Sequence, residues 1–230
     1  MDHLNNINLS FYTCFYGSNQ NDSFRVPDVP SIKYNCYYYT NNTDILEQIK
    51  NTKWIGIFDD QKTNDDIIES NMIGKKVKSS PHKYTELQKY DYTCFLDSKL
   101  QKVNESFVED FIIKYFIEQD YMLLLREHWF VKDSVWNEYE ESMKQSRYNI
   151  ESDKYINYIN EQISIGLSEK TDQHCACGLL IRNMKHKKIK ELNETWYNHI
   201  LKCGIQDQIS FFFIKQLFLE YIYPFTETPF

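Results

Sequence analysis

The chain has 230 residues, of which 42% are hydrophobic, enough for one large domain with its own core. Its formal net charge of −7 argues against a general nucleic-acid-binding protein, because neutralising phosphates requires a surplus of lysine and arginine. No linker rich in glycine, proline or serine and no internal repeat divides the sequence. We therefore expect a single domain over residues 1–230.

The ends of the sequence show no targeting or membrane signal. The N-terminal stretch MDHLNNINLS lacks the basic segment and apolar run of a secretory signal. The apolar stretch ISFFFIKQLFLEYIYPF is interrupted by Lys215, Gln216 and Glu220, unlike a membrane-spanning helix of about 20 residues. The six cysteines are scattered and lie mostly in apolar patterns. We expect a soluble, cytoplasmic protein with reduced thiols and no membrane span.

Short runs of β-branched and aromatic residues predict five strands in the first half of the chain. They are LSFYTCFY (9–16), KYNCYYYT (33–40), KWIGIF (53–58), DYTCFL (91–96) and YMLLL (121–125). Helical patterns lie between several of them, in NTDILEQIK, SPHKYTELQK and NESFVEDFIIKYFI. Such alternation predicts an α/β fold: a mainly parallel, Rossmann-like sheet with helices on both faces.

The second half of the chain is richer in helix. Two amphipathic helices are predicted between residues 134 and 167, followed by one more strand at CGLLIRN (177–183). Two further helices are predicted in KKIKELNETWYNHILKC and QDQISFFFIKQLFLEY. We divide the domain into a strand-rich half, residues 1–126, and a helix-rich half, residues 127–230, that covers an edge of the sheet.

Carboxylates directly follow two of the predicted strands. Asp97 follows DYTCFL, and Asp59 and Asp60 follow KWIGIF. In open α/β sheets, ligands bind outside the carboxyl ends of the strands. A carboxylate there can bind a metal ion or the hydroxyls of a sugar nucleotide; the alternative is an aspartate that caps the next turn or helix.

Four segments form an ordered series that is informative as a set. They are KKVKSSPHKYTELQKYDYTCFLDSKLQKVN, REHWFVKDSVWNEYEES, CGLLIRNMKH and WYNHILKCGIQDQISF. In order and spacing they resemble segments of the GT-A-like glycosyltransferase domains of the TOD1/MUCI70 (DUF616) type, and the resemblance covers roughly residues 30–218. It implies transfer of a sugar from a nucleotide-diphosphate donor to a hydroxyl of a glycan or glycoconjugate acceptor. Residues 1–126 would bind the nucleotide sugar and residues 127–230 would lie on the acceptor side.

The resemblance also assigns residues to the donor site. Asp97 takes the acidic position that holds Mn²⁺ or Mg²⁺ against the donor phosphates. Lys99 stands where a second acid is usual, and a lysine there can itself supply positive charge to the diphosphate. Lys78, His82 and Lys83, expected at a strand end and helix N-terminus, would hold the diphosphate.

On the acceptor side, the resemblance places Asp207 in the site as acceptor base or as a group near the sugar. The alternative is an N-terminal carboxylate favoured by the helix dipole. Gln206 stands where the family tends to have arginine. His128 is expected at the same rim, in contact with acceptor or sugar, or as a structural histidine. His186 is a second candidate metal ligand.

Two other hypotheses come from the same sequence. His174, Cys175 and Cys177 supply three possible zinc ligands, but no second pair lies nearby, so we do not expect a zinc site. The alternative function is a catalytically inactive GT-A-like module that binds a glycan or a protein. Its motivation is the pair of departures at Lys99 and Gln206, together with 18 tyrosines and 15 phenylalanines available for an aromatic surface.

Overall fold

The structure of the protein is a computed structural model that describes residues 7–18, 26–97 and 103–229. Strands occur throughout these ranges. They are β1 (Leu9–Phe15), β2 (Asn35–Thr40), β3 (Trp54–Phe58), β4 (Tyr92–Leu96), β5 (Leu123–Glu127), β6 (Asp133–Ser134), β7 (Lys170–Thr171), β8 (Cys175–Asn183) and β9 (Ile222–Phe225).

Seven of these strands form one sheet in the order β3, β2, β1, β4, β8, β5, β9. β1 pairs in parallel with β2 and β4, β2 with β3, and β5 with β9. β8 runs antiparallel between β4 and β5, while β6 and β7 form a separate two-stranded ribbon. The sheet is thus mainly parallel and takes strands from both halves of the chain, which confirms the predicted α/β architecture.

Helices connect and cover these strands. They are α1 (Thr43–Ile49), α2 (Ile67–Ser79), α3 (Thr85–Gln88), α4 (Glu105–Ile112), α5 (Val135–Ser142), α6 (Ser146–Asn149), α7 (Ser152–Ser164), α8 (Ile189–Cys203) and α9 (Asp207–Leu217). A π-helical turn, Ile113–Ile117, continues α4, and 3₁₀ turns occupy Pro81–Lys83 and Leu219–Tyr221. None of the helices in the described ranges has the length and apolar character needed to cross a membrane.

Alternate residues of the central strands pack on opposite faces of the sheet, as the pleat of a strand requires. On one face, Phe11 and Cys94 belong to a core that includes apolar residues of α1 and α4. On the other face, Tyr12 and Phe95 belong to a core built with α2, α8 and α9. A third apolar cluster joins α5, α7 and α9. The helix-rich half therefore packs on one face and extends beyond it.

Two of the differences from the sequence-based prediction affect the sheet and the residues near it. Residues 67–79 form α2, which was not predicted as a helix, and Lys78 lies in its last turn, not at a helix N-terminus. Near the end of the chain, the predicted helix ends early at Leu217, and the following residues form β9 beside β5. β9 is an edge strand, where Pro224 is tolerated because its missing N–H is not needed by a second neighbour.

Candidate functional site

A cavity of about 460 Å³ lies at the carboxyl end of β4. Its lining comes from the end of β4, from β8, and from α2, α5, α6 and the first turn of α9. This volume falls within the range of small-molecule sites, about 300–1,000 Å³. The position is the one at which open α/β sheets bind their ligands.

A buried ion cluster in the cavity joins α2 to α9. Asp207, the first residue of α9, has a side chain that is only 4% exposed. Its Oδ1 lies 2.8 Å from Lys75 Nζ, and its Oδ2 lies 2.5 Å from Lys78 Nζ. Burial alone would raise the pKa of Asp207, but the two ammonium groups outweigh it and lower the pKa to about 2. Asp207 is therefore ionised throughout the neutral range.

A buried arginine holds the C-terminal end of α2 through hydrogen bonds. The backbone oxygen of Lys78 accepts hydrogen bonds from Arg182 Nη2 at 2.8 Å and from the Tyr12 hydroxyl at 3.1 Å. Arg182 is fully buried, and it also donates to the Tyr12 hydroxyl and to Asn193 Oδ1. At the other end of the same residue, Lys78 Nζ lies 5.4 Å from the centroid of the Phe95 ring. Lys78 is thus held at both its backbone and its ammonium group.

His128 lines the same cavity and is 5% exposed. Its Nδ1 accepts a hydrogen bond from the backbone N–H of Val131 at 3.0 Å. Burial lowers the pKa of His128 to about 4, so the ring is neutral near pH 7. A neutral imidazole that accepts at Nδ1 carries its proton on Nε2. His128 is consequently a hydrogen-bond donor at Nε2.

A buried polar network supports the wall formed by α5. Glu138 Oε2 lies 2.7 Å from His174 Nε2, and Oε1 accepts from Gln206 Nε2 at 2.9 Å and from Gln208 Nε2 at 2.8 Å. Gln206 stands at the position where the resemblance expects an arginine. In the structure its side chain is buried and hydrogen-bonded within this network. The histidine of the HCACG segment, His174, therefore belongs to the same network through its Nε2.

The structure brings four of the residues named from the sequence to this one cavity. They are Lys78, Asp97, His128 and Asp207. Asp97 directly follows β4, as expected, and its backbone N–H donates to the oxygen of Gly178 in β8 at 2.8 Å. Lys99 lies outside the described residues.

His82 and Lys83 do not line the cavity. Both lie in the 3₁₀ turn that follows α2. His82 Nδ1 is 3.3 Å from Asn193 Nδ2 at the start of α8, and burial lowers the pKa of His82. Lys83 is exposed. His82 and Lys83 lie at a helix start, as expected, because this turn leads into α3, whereas Lys78 lies at the end of α2 and not at the end of a strand.

His186 lies at the opposite end of β4 from Asp97. Because β8 is antiparallel to β4, Asn183 at the end of β8 pairs with Tyr92 at the start of β4. His186 follows Asn183, whereas Asp97 adjoins Gly178 at the other end of the pairing. The structure therefore separates the two predicted metal ligands by about the length of β4, on the order of 15 Å.

Lys75 was missed by sequence analysis. It lies on the same face of α2 as Lys78, three residues away, and the missing helix hid that relationship. A usable signal is present: Asp66 followed three residues later by Glu69 is a helix-start pattern. In the structure the Asp66 side chain caps α2 by accepting from two backbone N–H groups.

Within the described ranges, the side chains that line the cavity do not form a set of ligands for a divalent metal ion. Four carboxylates line it within the described ranges, but Asp207 is bound by two ammonium groups, Glu138 by a histidine and two glutamines, and Glu141 by a lysine. No group of three histidine, cysteine, aspartate or glutamate side chains among the described residues is placed to hold a metal.

Comparisons with known proteins identify the fold. No family model and no curated protein matches the chain. The apo structure of mouse xyloside xylosyltransferase 1 superposes with a TM-score of 0.52 and 11% identity, over 94% of this chain and 84% of that one. The apo structure of the WbbM bifunctional glycosyltransferase superposes more weakly, with a TM-score of 0.46 and 10% identity, over 95% of this chain and 38% of that one. The mannosyltransferase Ktr4p from S. cerevisiae superposes with a TM-score of 0.39 and 10% identity, over 91% of this chain and 62% of that one. The chain has a GT-A-like α/β fold.

Proposed function

We propose that the protein is a glycosyltransferase that moves a sugar from a nucleotide-diphosphate donor to a hydroxyl of a glycan or glycoconjugate. The observation that carries this proposal is the cavity at the carboxyl end of β4, which is lined by Asp97, Lys75 and Lys78. The mouse protein with a similar fold is a xylosyltransferase, which supports the same reaction class. The ordered motifs support the narrower assignment to the TOD1/MUCI70 (DUF616) type.

The reaction sets clear demands on the site. The bond between the anomeric carbon and the donor's phosphate oxygen breaks, and its electron pair stays on that oxygen. The acceptor oxygen forms the new bond to the anomeric carbon, and the hydroxyl proton is released to solvent. Negative charge therefore grows on the leaving diphosphate, and cationic donors fixed in advance stabilise it. Lys75 and Lys78 are such donors.

Asp207 fits a positioning role better than the role of acceptor base. Its depressed pKa makes it a weak proton acceptor, and its two oxygens already bind the two lysines. We assign Asp207 to holding Lys75 and Lys78 at the cavity wall. Without that carboxylate, the ammonium groups of two lysines three residues apart on one helix face would repel each other.

Asp97 and His128 suit hydroxyl recognition. A carboxylate at the carboxyl end of β4 can accept hydrogen bonds from sugar or ribose hydroxyls. The Nε2–H of His128 can donate to a hydroxyl or phosphate oxygen of a bound ligand. His128 can act as this donor near pH 7 without a change of protonation state, because its pKa is about 4.

A catalytically inactive, glycan-binding module is the second candidate, and two observations favour it. Asp207 is tied to two lysines and is a weak base. Trp129 and Phe130 at the rim of the cavity are 59% and 54% exposed, an aromatic surface suited to the apolar face of a sugar ring. This candidate predicts glycan binding without turnover of any donor.

Donor turnover separates the two candidates. Purified protein is incubated with a panel of nucleotide-diphosphate sugars, with and without a glycan mixture, and release of the nucleotide diphosphate is measured. An enzyme releases it from at least one donor, and Asp97→Ala lowers that release while remaining folded. Glycan binding with no release from any donor supports the inactive module. Absence of both nucleotide binding and release contradicts the glycosyltransferase proposal.

A further inference from the structure

The charges around the cavity are arranged for an anion. Four cationic side chains line it within the described residues, namely Lys75, Lys78, Arg126 and Arg147. Lys75 and Lys78 share a single carboxylate, that of Asp207, so this cluster of three side chains carries one net positive charge. A donor diphosphate, which carries a negative charge on each phosphate, complements this surplus.

Lys75 and Lys78 retain donor capacity after binding Asp207. A lysine ammonium has three N–H donors, and each of these two lysines directs its ammonium at one oxygen of Asp207. The Lys75 side chain is 14% exposed and that of Lys78 is 5% exposed, and both line the cavity. The remaining N–H groups are therefore available to phosphate oxygens entering the cavity.

The two ammonium groups are fixed before any ligand binds. Asp207 joins them from α9, and Arg182 with Tyr12 holds the backbone oxygen of Lys78. Pre-positioned charges bind a ligand without a further ordering cost and stabilise charge that develops during a reaction. The same place in the site is unsuited to a divalent cation, since two ammonium groups repel it and the carboxylate between them is already used.

We infer that Lys75 and Lys78, held by Asp207, bind the donor diphosphate and take the place of a divalent metal ion in this site. The inference rests on the proposed glycosyltransferase function and specifies how its donor is held. It also gives Asp97 a different role from that of a metal ligand: its carboxylate lies beside the diphosphate and faces donor hydroxyls.

Calorimetry of the full chain tests the inference directly. The probes are inorganic pyrophosphate and the diphosphates of uridine, guanosine, adenosine and cytidine, each titrated in excess EDTA and again in excess Mn²⁺. We expect at least one nucleoside diphosphate to bind in EDTA with an affinity within about threefold of that in Mn²⁺. Binding that appears in Mn²⁺ alone and is lost in Asp97→Asn would overturn the inference while leaving the glycosyltransferase proposal intact. Binding of none of the probes would overturn both.

Variants of α2 separate the two lysines from general charge effects. Lys75→Met and Lys78→Met should each weaken diphosphate binding about 10- to 100-fold, the usual worth of a charge-assisted hydrogen bond. Lys76→Met is the matched control, because Lys76 is on the same helix but exposed and away from the cavity. Equal affinity in all three variants would refute the assignment. If Lys78→Met does not fold, the double variant Lys78→Met/Asp207→Asn is used in its place. It removes one cation and one anion together, so no unpaired carboxylate is left buried.

Discussion

The carboxylate of Asp207 lies 2.5 Å from the ammonium of Lys78, although the two residues come from opposite halves of the chain. With Lys75 they form a buried ion cluster between α2 and α9, two helices that pack on the same face of the sheet and both line the cavity. The same contact therefore joins the two halves of the fold and shapes the candidate donor site. Its contributions to stability and to binding can be measured separately.

Replacing Asp207 by asparagine should destabilise the protein. The change leaves two buried or nearly buried ammonium groups without their carboxylate, and breaking a buried ion pair from one side costs about 3 kcal/mol or more. Urea denaturation measures the loss. Asp172→Asn is the control, since Asp172 is exposed in the turn before β8 and its loss should change the free energy of unfolding by less than about 0.5 kcal/mol. Equal stability of the two variants would refute a structural role for the cluster.

The cluster also predicts how stability depends on acid. The pKa of Asp207 in the folded protein is about 2, below its ordinary value of 3.8. The unfolded chain therefore takes up the proton first as the pH falls. The stabilisation from Asp207 is complete above about pH 5 and is lost as the pH falls towards 2, an effect of about 2 kcal/mol. Unfolding curves at several pH values should show this loss in the wild type, and Asp207→Asn should lack that portion of it.

Arg182 should contribute to stability through hydrogen bonds rather than an ion pair. Its guanidinium binds the Tyr12 hydroxyl, the Lys78 backbone oxygen and Asn193 Oδ1. Arg182→Met leaves these buried groups without their donor, at a cost of about 3 kcal/mol. Arg182→Lys should recover little of the lost stability, because one ammonium group cannot reach all three acceptors that the planar guanidinium binds. Urea denaturation of both variants provides the measurement, and a loss below about 1 kcal/mol in both would contradict this account.

Much of the fold is predictable from local patterns, whereas the site depends on contacts between distant segments. β1 and β4 are evident because their residues alternate between two buried faces. α2 is harder to recognise because its buried residues include Ser70, Lys78 and Ser79, which interrupt the apolar pattern on its inner face. The cluster of Lys75, Lys78 and Asp207 was hidden with it.

The direction of β8 explains the other misplaced residue. Its sequence predicts a strand, but a strand pattern is the same in both directions, and pairing with β4 and β5 decides the orientation. A parallel β8 would have brought His186 to the edge that carries Asp97. The antiparallel pairing places His186 at the other edge, where its Nδ1 accepts from the Lys188 backbone N–H.

His128 should titrate far below an ordinary histidine. Burial lowers its pKa to about 4, so protonation disfavours the folded state as the pH falls from about 6.5 towards 4. NMR titration of the histidine ring signals measures that pKa, and long-range nitrogen–proton correlations report the tautomer. We expect the Nε2–H form at pH 7, because Nδ1 accepts from Val131 N–H.

His128→Asn provides the control for that assignment. An asparagine side-chain oxygen can replace Nδ1 as acceptor of the Val131 N–H but does not titrate. The variant should fold and should lack the ring signal with the depressed pKa. A wild-type signal that titrates near 6.5, or an Nδ1–H tautomer, would remove His128 from the set of hydrogen-bond donors in the cavity.

The exposed rim aromatics should serve the acceptor side of the site and not the donor side. Trp129 stacks on His128 with ring centroids 4.8 Å apart, and the guanidinium of Arg126 lies 5.1 Å from the Trp129 ring centroid. Trp129→Ala removes this aromatic surface, so glycan affinity should fall about 3- to 10-fold while affinity for nucleoside diphosphates stays unchanged. Binding to a glycan array and calorimetry with the diphosphates measure the two effects. Ile165→Ala is the control, because Ile165 is 69% exposed and does not line the cavity. Loss of nucleotide affinity in Trp129→Ala, or unchanged glycan affinity, would contradict this division of the cavity.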